Sequence, residues 1–268
     1  MTTAGSLRVA DADLYYELRG SGPLVVLVGA PMDARAFEPL AALLSADHTV
    51  LTTDPRGINR STVDDRERDS TPELRAGDLR DLIRHVDAGP AAVLGSSGGA
   101  VSALALAQAH PAVVHTVIAH EPPLLNLLPD RAAQWAMTDE VIAVHEAGDH
   151  LAAFRKFLEA ANIVLPEEVV LGMMSHRTPQ DVADSDYQHH RMLRPTSRWE
   201  PDLAVLRGGT TRVVVGVGEE SAGQLCDRTS RALTAELGTE PALFPGGHAG
   251  FAEVPEAFDV RLREVLAG

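Results

Sequence analysis

Gly95-Ser96-Ser97-Gly98-Gly99 sets two hydroxyls among three glycines, a frame in which a serine can serve as nucleophile. A reacting serine on a tight strand-to-helix turn holds a strained backbone, so the residues two positions to either side must be small. Gly95 and Gly99 meet that demand for Ser97. The register of Ser96 leaves no such pair of glycines around it. A serine hydroxyl needs an adjacent base to attack, and His248 in "FPGGHAGF" (244–251) stands in a glycine-rich loop ahead of the final helical segment. Among the other histidines, His48, His85 and His110 fall at element ends or on the surface, and His115 and His120 lie on the strand after the glycine turn. His145, His150, His176, His189 and His190 fall in a later helical stretch. None of them forms an i, i+4 pair backed by a third ligand, so no metal site is expected.

The base needs a carboxylate behind it to fix its tautomer. Glu121 follows the apolar run "VVHTVIAH" (113–120) and precedes Pro122-Pro123, which fixes the chain beyond it. Glu220 and Glu219, after "RVVVGV" (212–217), are the alternative acids. For the oxyanion of a tetrahedral intermediate two backbone N–H donors are required. Gly98, which follows Ser97 directly, can supply one of them. Asp54 and Arg56 in "TTDPRGINRS" read as a turn-bracing pair.

The surrounding pattern supplies elements that can hold these groups. Strand signals occur at 14–20, 24–28, 48–53, 91–95, 113–120, 212–217 and 241–244. Helical periodicity covers 34–45, 71–86, 97–110, 222–237 and 255–266. Thr71 reads as an N-cap followed by Pro72 at the first helical position. Repeated strand–helix units predict an α/β fold with a mostly parallel central sheet flanked by helices, and an antiparallel N-terminal edge. Residues 122–208 break the rhythm with helical segments near 130–147, 149–162, 166–175 and 179–193. They are expected to form an inserted helical lid on a core of residues 1–121 and 209–268. Trp135, Phe154, Phe157, Met173, Met174 and Tyr187 are the lid side chains expected to touch substrate.

Composition narrows the partners. The 268 residues carry 23 Lys and Arg against 38 Asp and Glu, a net charge of −15. That balance disfavours a nucleic-acid backbone or an anionic membrane as partner, since both reward clustered cations. Cys226 is the only cysteine, which excludes an intramolecular disulfide and a cysteine-cluster zinc site. No secretory signal pattern or apolar run of about 18 residues stands in the sequence, so a cytoplasmic protein acting on a small molecule is the expectation.

Four stretches together resemble the α/β-hydrolase family: "VLVGAP" (26–31), "DPRG" (54–57), "GSSGG" (95–99) and "GGHAGF" (246–251). The resemblance spans nearly the full length. It implies a serine nucleophile, an acid and a histidine, a helical cap at 122–208, and no cofactor. In that family the acid most often follows the strand matching 212–217, where Ser221 stands here; a second family location follows the strand after the elbow, where Glu121 stands. The family's His-Gly-x-Pro pattern stands here as Val28-Gly29-Ala30-Pro31, so the resemblance implies the Ala30 N–H as the second oxyanion donor, with Met32 lining the pocket, and Val28 replaces the family's histidine. Dehalogenases and epoxide hydrolases of this fold use an aspartate nucleophile, so Ser97 points instead to acyl transfer. The implied activity is hydrolysis of an ester, thioester or lactone of a small, largely apolar substrate. Two alternatives remain at this level: a carbon–carbon bond hydrolase, lyase or cyclase using the same Ser/His pair, and a ligand receptor or inactive scaffold.

Overall fold

A computed structural model describes residues 2–268; Met1, expected by sequence in the core domain, lies outside the described residues. Two N-terminal strands, β1 (Thr2–Arg8) and β2 (Ala12–Arg19), pair antiparallel and lead into β3 (Leu24–Val28). A 3-10 turn at Ala34–Phe37 and α1 (Glu38–Leu44) connect to β4 (Thr49–Thr53) and the short β5 (Thr62–Val63). The expected helix over 34–45 therefore divides. Asp33 caps the 3-10 turn through the Arg35 N–H, and Pro39 supplies no N–H in the first turn of α1.

Next come α2 (Pro72–Val86), β6 (Ala91–Ser96), α3 (Gly98–Ala109) and β7 (Val114–His120). The Thr71 hydroxyl caps α2 by accepting from Leu74 N–H, with Pro72 at the first position as the sequence suggests. Between β7 and the next strand the chain is helical: α4 (Arg131–Glu146), α5 (His150–Ala161), α6 (Glu167–Ser175), α7 (Pro179–Tyr187), α8 (Leu193–Ser197) and α9 (Leu203–Gly208). The segment expected as one helix over 179–193 passes through a π turn at Gln188–Met192 between α7 and α8. The chain closes with β8 (Arg212–Gly218), α10 (Leu225–Leu237), β9 (Ala242–Phe244), α11 (Gly250–Glu253) and α12 (Pro255–Ala267).

The sheet runs β1-β2-β4-β3-β6-β7-β8-β9, with β5 also paired to β2. From β4 to β9 every pairing is parallel, and β2 meets β4 antiparallel, which makes the N-terminal edge antiparallel as expected. Strand β3 is buried along its whole length because both sheet faces are covered. Val26 and Val28 join one core with Leu51, Val93, Leu104 and Leu79. Val25 and Leu27 point the other way, into a second core with Leu40, Phe244 and Phe258. The parallel strands thus end together at one edge, where Ser97, Glu121 and the loop carrying Ala30 emerge. Among the described residues no helix is long and apolar enough to cross a membrane.

Candidate active site

Ser97 joins β6 to α3 with φ +56 and ψ −124, a backbone conformation that non-glycine residues adopt only under strain. Its N–H donates to the His120 carbonyl at 2.9 Å, tying the turn to the end of β7. The flanking glycines are required by close backbone contacts. A Cβ on Gly95 would come within 2.4 Å of the Gly99 carbonyl oxygen, and one on Gly99 within 2.2 Å of the Val28 oxygen. Ser96 is fully buried on the strand side of the turn, with Oγ 3.5 Å from His120 Nδ1. Ser97 is only half-buried and lines a cavity.

His248 lines the same cavity. Its Nδ1 donates to Glu121 Oε2 at 2.5 Å, and Gly218 N–H donates to the other carboxylate oxygen at 2.9 Å. Glu121 is fully buried and holds φ +53 at the exit of β7. Burial works to raise its carboxyl, but the hydrogen bond from His248 and the nearby imidazoles of His120 and His248 outweigh that, and the group is held down to about 2. Ser221, at the position where the resemblance would put an acid, presents a buried Oγ with no hydrogen-bond partner among the described residues. That hydroxyl lies close enough to Glu121 to help keep the carboxylate ionised. Glu219 and Glu220 are exposed, their backbone N–H groups bonded to Phe244 and Gly246 carbonyls. Glu121 is the carboxylate that reaches His248. Between Ser97 Oγ and His248 no hydrogen bond closes among the described residues, a looseness common in unliganded sites.

Gly98 opens α3, and the first N–H groups of a helix have no intrahelical partner. Ala30 approaches it so closely that a Cβ on Gly98 would lie 2.4 Å from the Ala30 carbonyl oxygen. Both residues line the cavity beside Ser97. The loop carrying Ala30 is braced from below by Asp54. This fully buried carboxylate accepts from Ala34 N–H at 3.0 Å and from Arg60 at 2.7 and 2.9 Å. Arg56 pairs with Asp78 through two contacts of 2.7 Å and with Asp11. The two residues of the "DPRG" turn thus each brace a network of their own, away from the cavity lining.

The cavity holds about 130 Å³. Its floor is Ala30, Ser97, Gly98 and His248, and its walls are mostly apolar, among them Leu125, Val141, Phe157, Ile163, Met192 and Leu193. Of the side chains expected to touch substrate, Phe157 alone lines this space. Met32 instead packs against the core under β3, where its Cβ faces Gly29. Trp135 turns toward Arg198, whose guanidinium stands 5.5 Å from the ring centroid. Tyr187 is buried over Gly57 in a small cluster with Ala30, Ile58 and Met192. Phe154, Met173 and Met174 line a separate cavity. In their place the π turn and α8 contribute Met192, Leu193 and Thr196, and Cys226 enters from α10. Burial pushes the Cys226 thiol up, so it remains protonated and acts as an apolar wall. Periodicity cannot reveal these contacts, because the π turn rotates the faces beyond it.

The sequence profile described as the alpha/beta hydrolase family matches residues 24–259. The chain is similar to the uncharacterized hydrolase YraK of Bacillus subtilis (strain 168), at 31% identity over 98% of this chain and 95% of that protein. Its fold is similar to that of Est816, described as an N-acyl homoserine lactone degrading enzyme, with a TM-score of 0.75 and 19% identity over 97% of this chain and 99% of the other. It is also similar to an esterase from Exiguobacterium antarcticum, with a TM-score of 0.74 and 19% identity over 96% of each chain.

Proposed function

The chain belongs to the alpha/beta hydrolase family, and from that premise we propose that it is a serine hydrolase cleaving the ester, thioester or lactone bond of a small, largely apolar substrate. The observation that carries this reading is the convergence of Ser97, on its strained turn, with the Glu121-bound His248 on one apolar cavity. Glu121 holds the His248 proton on Nδ1, which leaves Nε2 free as the base. His248 takes the Ser97 proton as Oγ attacks the substrate carbonyl carbon. The negative charge that develops on the carbonyl oxygen is received by the Gly98 and Ala30 N–H groups, aided by the N-terminus of α3. Collapse breaks the carbon–oxygen or carbon–sulfur bond, and His248 protonates the leaving group. Water, deprotonated by the same nitrogen, then hydrolyses the acyl-enzyme and restores Ser97.

A serine nucleophile separates this chemistry from the alkyl-ester route, which requires a carboxylate at the elbow. Apolar walls favour an apolar acyl or alcohol group and limit its size. The helical segment 122–208 supplies most of those walls, and we assign it the role of a lid over the core. The test is labelling of the folded protein with a fluorophosphonate probe, followed by a panel of p-nitrophenyl esters of increasing acyl length. One adduct mapped to Ser97, absent in Ser97→Ala, with turnover of short esters, is the expected result. An unlabelled wild-type protein would overturn the nucleophile assignment.

A further inference from the structure

Four histidines gather outside the cavity that Ser97 lines, where the end of α4, the start of α5 and the π turn after α7 meet. His145 closes the last turn of α4, His150 opens α5, and the Ala147-Gly148-Asp149 turn lies between them. His145 Nδ1 and His150 Nδ1 point at each other across 3.3 Å. The other His145 nitrogen, Nε2, donates to Asp186 Oδ1 of α7 at 2.8 Å. His189 stacks parallel on His145 with ring centroids 4.0 Å apart, and its Nδ1 donates to the Ser185 carbonyl at 2.7 Å. His190 completes the group, 5.8 Å from His145 by ring centroid and 3.9 Å from Glu146 through its Nε2.

Three features of this arrangement match a metal site. First, the tautomer of His145 is set from outside. Asp186 keeps the His145 proton on Nε2, so Nδ1 presents a lone pair, the carboxylate–histidine arrangement that orients metal ligands. Second, the spacing fits. Two nitrogens bound to one tetrahedral ion at about 2.0–2.1 Å stand about 3.3–3.4 Å apart, whereas a good N–H hydrogen bond closes to about 2.9–3.0 Å. Third, the site opens onto room. A cavity of about 210 Å³ is lined by His145, His150 and His189, with Met173, Met174 and Arg177 around them.

We propose that His145 and His150, oriented by Asp186, bind one divalent transition-metal ion of the imidazole-preferring kind through their Nδ1 atoms, with solvent from the cavity completing the coordination. With the ring proton on Nε2, each imidazole ligates through its Nδ1 lone pair, so binding breaks no covalent bond. The sequence offers no i, i+4 histidine pair, and the expectation of no metal follows from that spacing; the fold supplies a pair across a turn at i, i+5 instead. Bound metal would join α4 to α5 and, through Asp186, to α7. Phe157 and Gln188 line both this cavity and the one holding Ser97, so the brace stands directly behind the wall of the proposed substrate site.

Zinc chloride titrated into the metal-stripped full-length protein, in competition with a chromophoric chelator, tests this. Wild type is expected to take up one equivalent, with zinc raising its melting temperature. His150→Ala, at a half-buried helix start, is expected to lose at least tenfold in affinity and all of the thermal shift, and Asp186→Asn to lose about tenfold. His248→Ala controls for the Glu121, Cys226 and His248 group, whose ligand atoms also stand within 4.8 Å of one another, and should bind as wild type does. No uptake by wild type, retention in a folded His150→Ala protein, or loss in His248→Ala would each overturn the proposal.

Discussion

Glu121→Gln changes one atom of the proposed triad and tests it most sharply. Gly218 N–H donates to Oε1 and His248 Nδ1–H to Oε2, so the glutamate uses both oxygens as acceptors. Glutamine keeps one acceptor. If its oxygen stays on the Gly218 N–H, its amide N–H₂ faces His248 Nδ1, and the ring must move its proton to Nε2. That nitrogen then cannot take a proton from Ser97. Wrong-tautomer substitutions of this kind cost on the order of 10⁴ in kcat in Ser-His-Asp enzymes, and the same order is expected here. The exposed Glu220→Gln should stay within about twofold of wild type. A second magnitude comes from the carboxyl itself, held at about 2 against an ordinary 4.5. That difference corresponds to roughly 3 kcal/mol of folding stability at neutral pH. A depressed folded-state pKa stabilises above the unfolded value, so the contribution is complete above about pH 4.5 and fades as pH falls toward 2. Urea denaturation of wild type and Glu121→Gln should therefore differ at pH 7 and converge in acid, alongside kcat on a short p-nitrophenyl ester. A Glu121→Gln enzyme within tenfold of wild type, or a loss confined to Glu220→Gln, would refute the assignment.

Gly95→Ala should lower stability by about 1–3 kcal/mol, as overpacking does, because its Cβ meets the backbone of Gly99 and Ala100 rather than a movable side chain; a denaturant midpoint equal to wild type would show that the turn can relax around a methyl group. His120 is fully buried against Phe244 and Phe258, and burial lowers it to about 4. The unfolded chain therefore binds a proton first, and stability drops as pH falls from about 6.5 to 4, by up to roughly 3 kcal/mol. His120→Asn should flatten that part of the stability curve, and parallel curves would contradict it. Phe157→Ala joins the cavities of about 130 and 210 Å³ that Phe157 separates; relative kcat/KM should shift several-fold toward longer acyl chains, and an unchanged chain-length profile would mean that Phe157 is no barrier.

Local sterics made the strained turn at Ser97 legible in sequence, since the glycines of "GSSGG" answer contacts within one turn and the adjoining strand. The continuous apolar run of β3 and the capped start of α2 were legible just as locally. Glu121 was legible through its place at a strand end before two prolines, although choosing it over Glu219 and Glu220 required knowing which loops meet. The walls of the cavity were not. Trp135, Tyr187 and Met32 are bulky enough to line a pocket, yet packing turns them toward Arg198, Gly57 and the core under β3. An amphipathic pattern gives a helix an inner face without saying which neighbour that face meets, and the π turn at 188–192 shifts the phase of α8 relative to α7. The histidine group of α4, α5 and the π turn was hidden by sequence distance, because Asp186 and His189 arrive from another helix.

Ser221 and Glu121 show how a parallel sheet treats chain order. β7 and β8 are neighbours, so the residues past their ends, far apart in sequence, emerge side by side at one edge of the sheet. The fold therefore offers two seats for one acid: one is taken by a glutamate, and a serine whose hydroxyl lies near that glutamate occupies the other. Moving the carboxylate between them needs no new loop and no change of topology, only two exchanged side chains. A lineage could cross from one arrangement to the other through a form holding acids at both strand ends, with the histidine served throughout.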